Sequence, residues 1–289
     1  MYPAAKTHPL VTHAQLPAHF AKPRRSLWCD INLAGHEAGC FLEGPDFDAA
    51  GNLYVVDIPF GRIFRLTVGG AWELVAEYDG WPNGLKVEKD GRLLVTDFKL
   101  GLVRIDPASG KHDVLLNEIE GQPLLGLNDL TWGPDGSLYC TDQGQTGLHD
   151  PRGRVLRIAP DDSASVLIRG CPSPNGLVFD KRKPWLYVAM TRGNAVWRVP
   201  LYDGDPVKVG IAIQLSGGIG PDGMALDAAG RLLVAHPQIG VWHFDTRNRP
   251  LALYEVPEEN FITNLAVRDD VLFVTDSVAG RIVTAKLAD

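Results

Sequence analysis

The chain of 289 residues carries a net charge of −7, with 45% hydrophobic and 22% charged residues, a balance that suits a globular protein and offers nucleic acid no basic face. No apolar run approaches the ~18 residues needed to span a bilayer. The 31 glycines and 21 prolines point to many tight turns rather than long helices.

Residues 1–25 contain Lys6, Lys22, Arg24, Arg25 and four prolines but no continuous apolar stretch. They read as an N-terminal arm without a secretory leader. Ser26–Leu33, SLWCDINL, follows as a candidate strand. One template then recurs: a polar start, a short apolar strand, an Asp/Gly turn and a second apolar strand. Its copies run over Glu43–Asp57, Asn83–Asp97, Asn128–Asp142, Asn175–Met190, Asp222–His236 and Thr263–Asp276, with starts 40 to 47 residues apart. A third strand follows each copy, as in GRIFRLT and GRVLRI, and a fourth follows all but the last. Four short strands in ~40–50 residues is the period of a propeller blade. The expected fold is therefore all-β: a six-bladed β-propeller of four-stranded blades, one domain over residues 26–289. The last copy lacks its outer strand, and an open edge invites aggregation. Ser26–Leu33 is expected to close the ring beside Arg281–Leu287.

In a propeller the first strand of each blade lies innermost, so the six opening residues converge on one mouth of the channel. They are Glu43, Asn83, Asn128, Asn175, Asp222 and Thr263. A single NG or DG pair is an ordinary turn signal. Six oxygen-bearing side chains at one register are harder to assign to turns. Two carboxylates converging on the axis would repel, and one divalent cation would balance both. Oxygen ligands suit calcium, magnesium or manganese, and the lack of His or Cys in the ring argues against zinc. Calcium is the expected ion, with magnesium, manganese, iron(II) and zinc as alternatives.

The motifs EGP at Glu43–Pro45, LND at Leu127–Asp129, SPNGL at Ser173–Leu177 and GPDGM at Gly220–Met224 resemble one family. It is the senescence-marker-protein/gluconolactonase/luciferin-regenerating-enzyme family, to which diisopropylfluorophosphatase and a drug-responsive bacterial lactonase are related. The resemblance spans residues from about 40 to 289. It implies a six-bladed propeller with a catalytic divalent metal, held by Glu43, Asn175 and Asp222. Asn128 would be a further ligand or a substrate contact. Sugar-acid lactonases of that family carry an Arg two residues before this Asn, whereas this chain has Gly126. That departure points to a lactone less polar than gluconolactone.

The expected function is metal-dependent opening of a small-molecule lactone. Asp222 would act as general base or nucleophile, with Asn128 as its catalytic partner. Asn83, Asn128, His236 and Trp81 would contact substrate. The alternatives are phosphotriester hydrolysis at the same metal and a non-catalytic binding propeller stabilised by calcium. The strand-end aspartates Asp57, Asp97, Asp142 and Asp276 are expected to bond local backbone amides. Gln143–Gly153 is a candidate lid. No GxSxG motif suggests a serine hydrolase. Cys29, Cys40, Cys140 and Cys171 show no CxxC spacing and read as reduced thiols in a cytoplasmic protein that engages neither nucleic acid nor membrane.

Overall fold

A computed structural model describes residues 5–258 and 260–288. The strands form six radial sheets. The first is built from Leu42–Phe47, Leu53–Asp57, Arg62–Leu66 and Trp72–Glu77, all antiparallel. The next three blades begin at Pro82–Val87, Leu127–Trp132 and Pro174–Phe179, and the fifth and sixth at Met224–Leu226 and Ile262–Arg268. The first strand of each blade packs on that of the next, and Ile262–Arg268 packs on Leu42–Phe47, so the ring is closed. The buried clusters lie between neighbouring blades; one of them unites Tyr54, Val56 and Ile63 with Leu85, Val95 and Val103. Strands buried on both faces read as near-continuous apolar runs such as LYVVD and LLVTD, and every residue of both is buried.

The closing strand is not the expected one. Ser26–Leu33 forms no strand; Leu27–Asn32 is a short α-helix whose N-cap, Ser26, accepts the Cys29 amide at 3.3 Å. Trp28 and Cys29 face inward, while Leu27 and Ile31 are exposed. Apolar residues at 27, 28 and 31 satisfy helical spacing as well as strand spacing, which is why the segment was ambiguous in sequence. The sixth blade is completed by Val11–Gln15, antiparallel to Arg281–Lys286. Lys6–Pro9 meanwhile adds a parallel outer strand to the fifth blade beside Pro250–Glu255. The segment expected as an arm is thus, from Lys6 to Gln15, a strap across two blades. Leu10 and Leu16 anchor it in the core, 3% and 2% exposed. Among the described residues no helix is long and apolar enough to cross a membrane.

Candidate active site

One mouth of the channel opens into a cavity of about 220 Å³. Glu43, Asn83, Asn128, Asn175 and Asp222 all line it, so five of the six residues at the shared register meet there. Strand-end aspartates fix that register. Asp57 Oδ1 accepts the amide of Phe41 at 2.7 Å, two residues before Glu43. Asp142 Oδ1 accepts those of Leu125 at 2.8 Å and Gly126 at 2.9 Å, just before Asn128. Asp276 Oδ1 accepts that of Phe261 at 3.0 Å. Arg62, Arg154 and Arg281 pair with these three carboxylates and balance their burial. In the second blade Asp97 accepts the amides of Lys99 and Leu100, and the Trp81 backbone also favours its charged form.

Thr263 is the exception in the ring. It is fully buried and bonds Leu42 O at 3.3 Å, Thr275 Oγ1 at 3.0 Å and Ser277 Oγ. The sixth blade reaches the axis one residue later. Asn264 Nδ2 donates to Glu43 Oε2 at 2.9 Å. Asn264 also favours the ionised form of Asp129, the residue after Asn128, whose pKa burial raises. At this second register the other four blades carry Gly44, Gly84, Gly176 and Gly223. A Cβ on Gly223 would stand 2.0 Å from Asn264 Oδ1, and one on Gly84 2.8 Å from Asp129 Oδ1. Four glycines thus leave the axis to one acid and one amide. Sequence reasoning passed over Asp129 and Asn264 because it stopped at the opening residue of each copy. A Gly-Gly-Asp-Gly-Gly-Asn series one position later was the signal.

Electrostatics mark the two acids of the ring. Burial raises the Glu43 carboxyl to about 7, against the opposing bonds from Gly44 N and Asn264. Burial, and then the charges of Glu43 and Asp129, hold Asp222 well above the usual carboxylate range. The amides around them are oriented. Asn128 Nδ2 donates to Gln143 Oε1 at 2.9 Å, which leaves its carbonyl oxygen to offer, and Asn175 favours the ionised form of Asp222. Among the described residues no three His, Cys, Asp or Glu side chains gather as a metal cluster. The donor set is two carboxylates with amide oxygens, which is the chemistry of a hard cation.

The expected substrate contacts divide. Trp81 and Asn83 line the cavity. His236 does not: it is fully buried, its Nε2 lies 3.1 Å from Gly217 O and its Nδ1 accepts Trp242 Nε1 at 3.3 Å. It is committed to the loop at Gly217, and burial lowers its pKa. Gln143, at the base of the candidate lid, is held by Asn128 and Ser173, while Gln145 Nε2 reaches Asn32 Oδ1 of the helix at 3.3 Å. The helix and this loop together overhang the mouth. Gly126 adopts φ +139, and a Cβ there would fall 2.6 Å from the Phe98 ring. Phe98 lines the cavity with Trp28, Phe41, Trp81 and Phe261. The wall where an arginine was missing in sequence is therefore aromatic.

Fold and site together define a six-bladed propeller with an axial pocket of acids and amides at one mouth. The chain belongs to the SMP-30/Gluconolactonase/LRE-like family, whose region matches residues 41–284. It is 28% identical over 262 residues to lactonase drp35 of Staphylococcus aureus, covering 86% of this chain and 78% of that protein. Two solved structures share the fold. A gluconolactonase from Xanthomonas campestris superposes with a TM-score of 0.77 at 22% identity, covering 96% of this chain and 99% of the other. Regucalcin from Agrobacterium tumefaciens, a calcium-binding protein, superposes with a TM-score of 0.77 at 24% identity, over 98% and 96% of the two chains.

Proposed function

We propose that the protein is a metal-dependent lactonase acting on a lactone whose ring is less hydroxylated than that of gluconolactone. The observation that carries this reading is the pair Glu43 and Asp222, two carboxylates brought into one axial cavity, where burial disfavours their charged forms and a divalent cation would offset both. The similarity to lactonase drp35 supports the reaction class. Glu43, Asn128, Asn175 and Asp222 would hold the ion, with calcium favoured by the all-oxygen donor set. A bound divalent cation supplies polarisation of the lactone carbonyl.

The remaining work falls to the chain. Asp222, partly open to the cavity, takes the proton of the attacking water. Asn83 and Asn128 orient the carbonyl and donate to the developing oxyanion. Trp81 and Phe98, whose rings lie 5.9 Å apart, hold the apolar part of the substrate and exclude water. All four cysteines are buried and unpaired, which supports a reducing, cytoplasmic setting.

A lactone panel followed by pH indicator, with and without chelator, tests the reading. Chelator-sensitive opening of simple lactones is expected, with gluconolactone a poorer substrate. Asp222→Asn at confirmed metal occupancy should lose about 10²–10⁴ in kcat. An inert wild type, or one cleaving only phosphotriesters, would replace the lactonase reading.

A further inference from the structure

We propose that Arg192 is the specificity-determining residue of this pocket, and that the substrate is a lactone carrying an anionic substituent, a carboxylate being the simplest. The inference rests on the lactonase reading and names the substrate class within it.

Among the described residues that line the cavity, Arg192 is the one formal cation, beside the acids Glu43 and Asp222. Its backbone is fixed. Arg192 sits in the short 3₁₀ turn Thr191–Gly193. Thr191 is 7% exposed; its amide donates to Ser173 O at 3.0 Å and its hydroxyl to Pro221 O at 2.8 Å. Those two carbonyls lie next to the loop residues that precede Asn175 and Asp222, so the turn is pinned between two ring positions. Gly220 packs directly on it: a Cβ there would stand 1.9 Å from Thr191 O. The Arg192 stem runs beside Gly147, whose Cβ position lies 3.7 Å from Arg192 Cγ.

The guanidinium itself is unengaged. Arg62, Arg154 and Arg281 are each locked on an aspartate. Arg192 makes no ion pair and no side-chain hydrogen bond among the described residues. Its charge nevertheless reaches Asp222 and favours the ionised carboxylate. Arg192 is exposed at the rim of the pocket, and a planar donor fork there without a partner matches a carboxylate in two-point geometry. With a divalent cation offsetting Glu43 and Asp222, an incoming anion meets no net repulsion. Two other positions for a cationic grip are closed off: His236 is buried and hydrogen-bonded away, and the space beside Gly126 is filled by Phe98. The lactone ring therefore lies against the aromatic wall with its anionic substituent at Arg192.

The test compares γ-butyrolactone bearing a carboxylate on the carbon next to the ring oxygen with the corresponding neutral carboxamide, using the metal-loaded protein. The wild type should prefer the carboxylate about tenfold in kcat/KM, a difference a single two-point contact readily supplies. Arg192→Gln should abolish the preference through KM, and Arg192→Lys should restore part of it. Arg92→Gln, an exposed site paired with Asp90, should leave the preference unchanged. Equal losses on both substrates in Arg192→Gln would show that the guanidinium only tunes Asp222, and would overturn the proposal. So would a wild type without preference for the carboxylate. If the wild type opens neither lactone, the lactonase reading fails separately, and calorimetry of the intact carboxylate decides on Arg192. A loss of about tenfold in affinity in Arg192→Gln then supports the contact, and equal affinity overturns it.

Discussion

Asn264 donates to Glu43 across the joint between the last and first blades, Nδ2 to Oε2 at 2.9 Å. The bond couples ring closure to the orientation of the acid on the axis. Asn264→Ala should leave the propeller folded but free the Glu43 carboxylate to rotate. Second-layer partners of this kind are worth about 10–100-fold in metal affinity. Titration calorimetry with calcium should show that loss, and an unchanged affinity would mean that Glu43 is held by Gly44 N alone.

The raised Glu43 carboxyl gives the metal-free protein a pH signature. A folded-state pKa of about 7 means that the native state binds the proton more tightly than the unfolded chain. The associated stabilisation is complete below the ordinary glutamate range and is lost as pH rises through about 7. It amounts to about 3 kcal/mol. In chelator, the thermal midpoint of the wild type should fall more steeply between about pH 5 and 8 than that of Glu43→Gln. Parallel slopes would contradict the assignment. Metal uptake in the same window should release protons, seen as a dependence of binding heat on buffer ionisation enthalpy.

Gly126 and Phe98 share one space. Gly126→Ala would combine an unfavourable positive φ with a Cβ 2.6 Å from the Phe98 ring. The expected cost is about 1–3 kcal/mol in chemical denaturation. Phe98→Ala in the same chain relieves the clash but not the backbone strain, so the double variant should recover only part of the loss. Full recovery would show that φ is not a constraint there.

Removing Lys6–Leu16 should expose the outer edges of the fifth and sixth blades together and withdraw Leu10 and Leu16 from the core. Aggregation on light scattering, with a lowered thermal midpoint, is the expected result. Removing Leu27–Asn32 instead should strip the rim of the mouth and spare the ring. A monodisperse, fully stable product of the first deletion would show that the strap is dispensable.

The blade period was legible because each inner strand must be apolar on both faces and each turn demands Asp or Gly. Position along those strands then placed Glu43, Asn83, Asn128, Asn175 and Asp222 at one mouth. Edge and loop contributions were not legible. Val11–Gln15 reads VTHAQ, a polar edge strand without the apolar run that marks a blade interior, whereas Leu27–Asn32 offered one. Thr263 sits at the ring register, yet its hydroxyl is satisfied by neighbouring hydroxyls and a carbonyl, leaving the axis to Asn264. His236 ends its strand as the aspartates do, but its ring is turned to Gly217 O and Trp242. Such choices depend on which partner lies within 3 Å, and strand periodicity does not encode that.

The strap also sets an order of events in folding. Gln15 bonds Ala279 and Gly280, partners 264 and 265 residues away along the chain. Each inner blade can form from contacts within about fifty residues, but the seam forms only when nearly the whole chain has been gathered. Closing so long a loop carries a large entropic cost before any contact repays it. The sixth blade should therefore dock last, through a partly closed ring with one bare edge. The Asn264–Glu43 bond is made at that same seam, so the fully arranged site is a late product of folding, and refolding followed by metal uptake should lag behind refolding followed by the blade tryptophans.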